Sequence, residues 1–446
     1  MTALLLTGGR IIDPASELDH TGDVLIREGL IAAISKERIT TDAPRIACEG
    51  CIVAPGLLDI HVHFRDPDTS GHHEETLDTG AAAAAAGGFS TVCCMPNTTP
   101  AIDCRTLVEH IGSRSAQAGH ARVFPVACGT IGRRGETVAP ILELIESGAV
   151  GISDDGDGIA DSGIMRRVLA LVAAADSVFM QHCQDPTLTR AAAMNAGSLA
   201  TRLGLTGWPR EAEEVMLRRD LALNRSIGAR YHAQHLSVAQ SIDALREARA
   251  EGQPATGEAS PHHLLLTEDA CEGWNTLAKV NPPLRTNADI DAIKRGIAEG
   301  IITVLATDHA PHPAHTKDTD FASAAFGMVG LECALPLYRE AIIEGGVLDW
   351  PGMLRMMTCE PARVAGLAHL GLGRLESGGP ADVTVIDPDA EWTIDPTSFQ
   401  SRGRNCPFAG RSVRGRALTT IVAGRIRHQR ASDRTDAAIE DRAEVR

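Results

Sequence analysis

The first 54 residues carry short apolar-rich runs at 3–6, 10–12, 23–26 and 30–34, separated by Gly8-Gly9, Asp13-Pro14 and Glu28-Gly29. Brief apolar runs broken by turn residues predict strands joined by tight turns. The same texture returns at residues 381–387 and 419–425. The two chain ends are therefore expected to build one small β domain, with the rest of the chain inserted between them.

In the middle, strand-like runs alternate with helical ones. The strands are predicted at residues 52–63, 90–97, 122–126, 149–154, 177–182, 230–235, 255–259 and 302–308, and the clearest helices at 76–88, 139–147, 163–175, 210–226 and 239–250. Strands alternating with helices over roughly 300 residues fit an α/β chain folded as a (β/α)8 TIM barrel. A doubly wound open sheet is the competing layout, but no glycine-rich phosphate loop follows the first strand to support it. The expected division is a first β-sandwich part at 1–54, a barrel at 55–365, a second β-sandwich part at 366–430 and a polar tail at 431–446.

Composition narrows the function. With 43% hydrophobic and 22% charged residues, the 446-residue chain has the profile of a globular enzyme. Its net charge of −16 argues against nucleic acid or an anionic membrane as partner. A small anionic substrate stays open, because one pocket arginine can hold a carboxylate. The N-terminus lacks a signal-peptide pattern, and no apolar run approaches the ~18 residues of a membrane span. Eleven cysteines, an odd number, are scattered through apolar runs such as Val92-Cys93-Cys94-Met95, as in a reducing cytoplasmic compartment. Cys48 and Cys51 have CxxC spacing without a second pair and are read as structural.

The candidate chemistry lies at strand ends. Residues i and i+2 of a strand share a side, so His61 and His63 can face one metal ion. Asp154, His182, His235 and Asp308 close later predicted strands, and barrel strand ends converge on one face. Four histidines and two carboxylates exceed one tetrahedral zinc and suit two ions about 3.5–4 Å apart.

The string Pro55-Gly56-Leu57-Leu58-Asp59-Ile60-His61-Val62-His63-Phe64-Arg65 resembles the metal-binding entry strand of the amidohydrolase superfamily. Gly87-Gly88-Phe89-Ser90-Thr91-Val92, Met95-Pro96-Asn97-Thr98, Val280-Asn281-Pro282-Pro283-Leu284-Arg285, Thr307-Asp308-His309-Ala310-Pro311-His312 and Phe326-Gly327-Met328-Val329-Gly330-Leu331-Glu332 resemble the dihydroorotase family specifically. The resemblance implies a barrel flanked by a β-sandwich and two zinc ions. It gives His61, His63 and Asp308 to one ion, His182 and His235 to the other, and Asp154 to both. No lysine stands at the end of the fourth strand, which fits a branch bridged by aspartate rather than by a carboxylated lysine.

The implied reaction is the reversible opening of dihydroorotate to N-carbamoyl-L-aspartate, a step of pyrimidine biosynthesis. Asp308 would act as general base and then acid. Arg65, Asn97 and His312 are implied around the substrate carboxylate, Asn281 at the ring amide, the main chain of Phe326 and Gly327 elsewhere in the pocket, and His63 as a further substrate contact. A homodimer is implied, and aspartate transcarbamoylase is a possible partner. The rival readings are another cyclic-amide hydrolase, an allantoinase or hydantoinase, and an inactive homologue partnering aspartate transcarbamoylase.

The remaining polar residues get plainer expectations. His72, His73, His262, His263, His309 and His315 are read as supporting or loop residues, and Asp155 and Asp157 as turn formers in a glycine-rich loop. Residues 312–327 are read as a loop able to close over the substrate. The departures from the family pattern, Asp68 after Pro67 and His73 in place of a lysine, fall in the loop after Arg65.

Overall fold

The computed structural model describes residues 3–69 and 75–430. His72, His73 and the expected tail at 431–446 lie outside the described residues.

The chain ends build one eight-stranded sheet. Strands β1 (Ala3–Asp13), β2 (Leu18–Arg27), β3 (Leu30–Ser35), β4 (Arg45–Ala47) and β5 (Ile52–Pro55) come from the N-terminal end. The barrel then begins with β6 (Leu57–Val62), separated from β5 by Gly56 alone. A Cβ on Gly56 would sit 2.3 Å from Ser90 Oγ, so this crossing from sheet to barrel needs glycine.

β6 is followed by β7 (Phe89–Cys94), β8 (Arg122–Pro125) and β9 (Val178–Gln181). A short ribbon, β10 (Met194–Asn195) with β11 (Gly207–Trp208), lies outside the barrel wall. The wall resumes with β12 (Arg230–Ala233), β13 (Ala255–Ala259) and β14 (Val304–Leu305). The C-terminal end returns to the first sheet as β15 (Val383–Thr393), β16 (Ser412–Val422) and β17 (Arg425–Gln429), with β15 pairing antiparallel to β5.

The barrel closes through parallel pairings. β6, β7 and β8 run side by side, and so do β9, β12, β13 and β14. The two groups meet at Ile152, which bridges Ala127 on one side and Phe179 on the other. The last gap closes where His309 bridges Val62 and the Asp59 carboxylate accepts the Thr307 N–H at 3.1 Å. The fourth stave, expected over 149–154, thus shrinks to the pairings around Ile152. Every residue of β6 and β7 is buried, the pattern of parallel strands covered on both faces.

The first barrel helix, Leu77–Gly87, is capped by Thr76 and Thr79 and ends at Gly88 with φ 98°. Its alanines and glycines let it sit close to the wall: a Cβ on Gly80 would lie 2.4 Å from the Phe64 ring. Phe64, the residue after His63, is thereby wedged in place. Among the described residues, no helix is long and apolar enough to cross a membrane.

Candidate metal centre

The ends of the barrel strands gather the expected histidines. His63 Nε2 lies 3.0 Å from Asp308 Oδ1, and His61 Nε2 lies 3.6 Å from the same oxygen. His182 Nδ1 and His235 Nε2 are 2.7 Å apart. The donor atoms of His61, His63 and Asp308, and separately those of His61, Asp155 and His235, lie within 4.8 Å of one another.

Asp154 does not join them. Its carboxylate accepts the N–H groups of Gly129 and Thr130 at 2.8 and 3.0 Å, and the Thr130 hydroxyl also donates to it. The place expected for Asp154 is taken by Asp155, 3.3 Å from His61 Nε2, 3.5 Å from His63 Nε2, 3.5 Å from His182 Nδ1 and 3.8 Å from His235 Nε2. Strand parity explains the exchange. Ile152 packs outward among the helices, and the Ser153 hydroxyl donates inward to Gln234. Continuing that alternation sends Asp154 outward and Asp155 into the barrel mouth.

The ring tautomers are set from behind. His61 Nδ1–H donates to Glu258 at 2.5 Å, His63 Nδ1–H to Asn97 Oδ1 at 2.9 Å, and His182 Nε2–H to Gln184 Oε1 at 2.8 Å. Each imidazole therefore presents its other nitrogen to the cluster. Glu258 was not among the expected site residues. It lies on β13, fully buried, and accepts from His61, from His232 Nε2 at 3.0 Å and from the His235 N–H at 3.0 Å. Its signal in the sequence was a carboxylate inside a strand of small residues, where burial demands partners.

Burial and charge work against each other here. Burial pushes the Asp308 carboxyl up, but the close approach of His63 and the electrostatic pull of the His61, His63 and His235 rings hold it below the ordinary carboxylate range. Asp155 is likewise held well down: burial opposes, while the charges of His61 and His63 and the nearby His182 and His235 rings, 3.5 and 3.8 Å from Oδ1, prevail. Burial pushes His262 down to about 4. Backbone strain collects at the same place, with Arg65, His235 and Asp308 at φ 56°, 28° and 51°.

The residues fit a metal. His61 Nε2 and Asp155 Oδ1 are buried and make no hydrogen bond, although they face one another. Orphaned buried acceptors of this kind are costly unless something binds them. Imidazole nitrogens mixed with carboxylate oxygens suit a divalent ion of borderline softness.

A cavity of about 240 Å³ opens over the cluster, lined by His63, Arg65, Asn97, Arg133, Asp155, Asn281, Asp308, Phe326 and Gly327 among others. His312 stands behind this lining, donating from Nε2 to the Phe326 carbonyl at 2.7 Å, and borders a neighbouring cavity with Lys317 and Arg404. Asn281 donates to Gln184 at 2.9 Å, which links it to His182. His262 approaches Asp308 at 4.0 Å, and His263 turns away to the Pro282 carbonyl. His309 accepts from the Gly330 N–H, and His315 lies exposed on the short helix Ala314–Lys317.

The loop at 312–327 is tied down. Buried Lys279 donates to the carbonyls of Ala322 and Ala324 at 2.8 and 2.6 Å, and buried Lys317 to those of Thr276 and Lys279 at 3.1 Å each. Phe326 is braced edge-on against Trp208 and lies beneath Lys279.

The closed barrel, the sheet from both chain ends and the His-carboxylate cluster at the strand ends define the class: a β/α-barrel hydrolase of the amidohydrolase type. An L-hydantoinase (dihydropyrimidinase) from Arthrobacter aurescens superposes with a TM-score of 0.85 at 25% identity, covering 97% of each chain. A dihydropyrimidinase from Brevibacillus agri shares the fold with a TM-score of 0.83 at 20% identity, over 96% of this chain and 95% of that one. The Dihydro-orotase-like family model matches residues 50–241. Dihydroorotases of Syntrophotalea carbinolica and Anaeromyxobacter dehalogenans are 44% and 45% identical, over 96% of this chain and 99% and 98% of their own lengths. The chain belongs to the dihydroorotase family.

Proposed function

We propose that the protein is a zinc-dependent dihydroorotase with two ions in the barrel mouth, interconverting dihydroorotate and N-carbamoyl-L-aspartate for pyrimidine synthesis in the cytoplasm. The observation that carries this reading is the convergence of His61, His63, His182, His235, Asp155 and Asp308 around unsatisfied acceptors in a cavity that also holds Arg65. His61, His63 and Asp308 would hold one ion, His182 and His235 the other, and Asp155 would reach both. When bound, zinc supplies Lewis acidity, lowering the pKa of water and polarising an amide carbonyl.

The protein's own groups do the rest. Asp308, kept ionised by its histidine neighbours, accepts the proton of the attacking water. As the ring carbon–nitrogen bond breaks, it returns that proton to the departing nitrogen. The oxygen of the water ends in the new carboxylate, one of its hydrogens on the ureido nitrogen, and the other leaves to solvent as a proton when the new carboxylic acid ionises. Arg65 offers a planar fork to the substrate carboxylate, with Asn97 beside it. Asn281 and the main chain at Phe326 and Gly327 border the ring, while His312 supports Phe326 from behind.

Steady-state assays in both directions test the reading, with hydantoin and allantoin as competing substrates. Turnover of dihydroorotate well above both is expected; ring opening of hydantoin or allantoin without dihydroorotate would overturn it. The homodimer and any complex with aspartate transcarbamoylase belong to the same proposal, tested by light scattering of the protein alone and after mixing.

A further inference from the structure

The Asp155 carboxylate faces the imidazoles of His61, His63, His182 and His235, and its Oδ1 makes no hydrogen bond. Much of its positioning therefore falls to its backbone. The backbone on either side is gripped by one loop, residues 129–135, which follows the third barrel strand. Gly129, Thr130 and the Thr130 hydroxyl all donate to Asp154, and the Gly135 N–H donates back to that hydroxyl at 2.9 Å. From the same loop, the Arg133 guanidinium donates to the Asp155 carbonyl and pairs with Asp157 at 3.3 Å. The Asp157 N–H closes the turn on the Asp154 carbonyl at 3.0 Å.

Gly156 lets the guanidinium in: its φ is 88°, and a Cβ there would lie 3.1 Å from Arg133 Nη1. Arg133 itself sits at φ 57°, a conformation unfavourable for a long side chain unless contacts enforce it. Asp155 is thus held between an anchor behind it and a cation across it. This accounts for two carboxylates in succession, Asp154 for the loop and Asp155 for the cluster.

We propose that Arg133, Thr130 and Asp154 are positioning residues that clamp Asp155 where it can reach both metal ions. The inference rests on the two-ion reading above. Removing a partner that orients a metal-binding group typically weakens metal retention about 10–100-fold. The clamp predicts that behaviour for residues that touch no ion.

The test compares zinc retention of purified full-length Arg133→Met, Arg133→Lys, Thr130→Val and Asp155→Ala proteins against a competing chelator, with cobalt spectra and thermal midpoints alongside. Arg133→Met should lose zinc about tenfold more readily and show an altered cobalt spectrum, while its midpoint with chelator present stays near wild type. Thr130→Val should behave alike, and Arg133→Lys, which keeps the charge opposite Asp157, should recover most of the retention. Wild-type retention and spectrum in both Arg133→Met and Thr130→Val, with Asp155→Ala depleted, would overturn the clamp alone. Full retention of two ions by Asp155→Ala would overturn the assignment of Asp155 and the clamp with it. If Arg133→Met does not fold, Thr130→Val and Arg133→Gln carry the same comparison.

Discussion

Glu258 offers the sharpest probe of how the cluster is held. Its two oxygens serve three donors: His61 Nδ1–H at 2.5 Å, His235 N–H at 3.0 Å and His232 Nε2–H at 3.0 Å. In Glu258→Gln the amide oxygen can still accept from His61 and His235. The amide NH2 then faces His232, whose other nitrogen is 2.8 Å from the Thr256 hydroxyl, so a tautomer flip of His232 restores every hydrogen bond. What is lost is charge, since a bond to an ionised group contributes about 1.5–3 kcal/mol against about 0.5–1.5 for a neutral one. The difference, about 1–1.5 kcal/mol, corresponds to roughly tenfold weaker zinc binding. Glu258→Leu leaves His61 without its acceptor, and the loss should approach 100-fold. Chelator competition with zinc measures both variants, and circular dichroism of the metal-stripped proteins controls for folding. Equal affinity in wild type, Glu258→Gln and Glu258→Leu would refute the idea that this carboxylate orients His61.

Three further outcomes follow from the same geometry. Asp308→Asn should keep measurable metal while losing about 10²–10⁴-fold in turnover, the range for a general acid–base group; parallel loss of metal and activity would reduce Asp308 to a ligand. Arg65→Met should raise KM for dihydroorotate more than it lowers kcat, by roughly 10–100-fold if a charge-assisted pair to the carboxylate is removed. Lys317 is pushed down to about 7 by burial and by the Lys279 charge. The unfolded chain binds its proton up to the ordinary lysine range, so stability should rise as pH climbs from about 7 to about 10, by at most about 1.4 kcal/mol per pH unit. Hydrogen exchange of the 312–327 loop across that range reads the effect, and Lys317→Met should flatten it.

Much of the barrel was legible along the chain because its parallel strands are buried on both faces and therefore read as unbroken apolar runs ending in polar residues. The joint sheet of the chain ends was legible for a different reason, the recurrence of alternating runs at both termini. The fourth stave shows the limit: residues 149–154 carry strand character, yet only the pairings around Ile152 complete the wall. Adjacent carboxylates defeated the sequence at the same spot. Asp154 and Asp155 are equally plausible ligands until the outward packing of Ile152 fixes which one points inward. Glu258 escaped notice because its partner His61 lies 197 residues away, a contact that exists only once the barrel closes. His312 falls in a polar stretch of the sequence, and only the Phe326 carbonyl at 2.7 Å shows that its ring supports the pocket wall.

Anomalous diffraction from zinc-loaded crystals tests the central claim most directly. The account predicts two zinc peaks in the barrel mouth, one against His61, His63 and Asp308, the other against His182 and His235, with Asp155 reaching both. A single peak, or two peaks with Asp154 turned onto the metal and Asp155 outside, would contradict it.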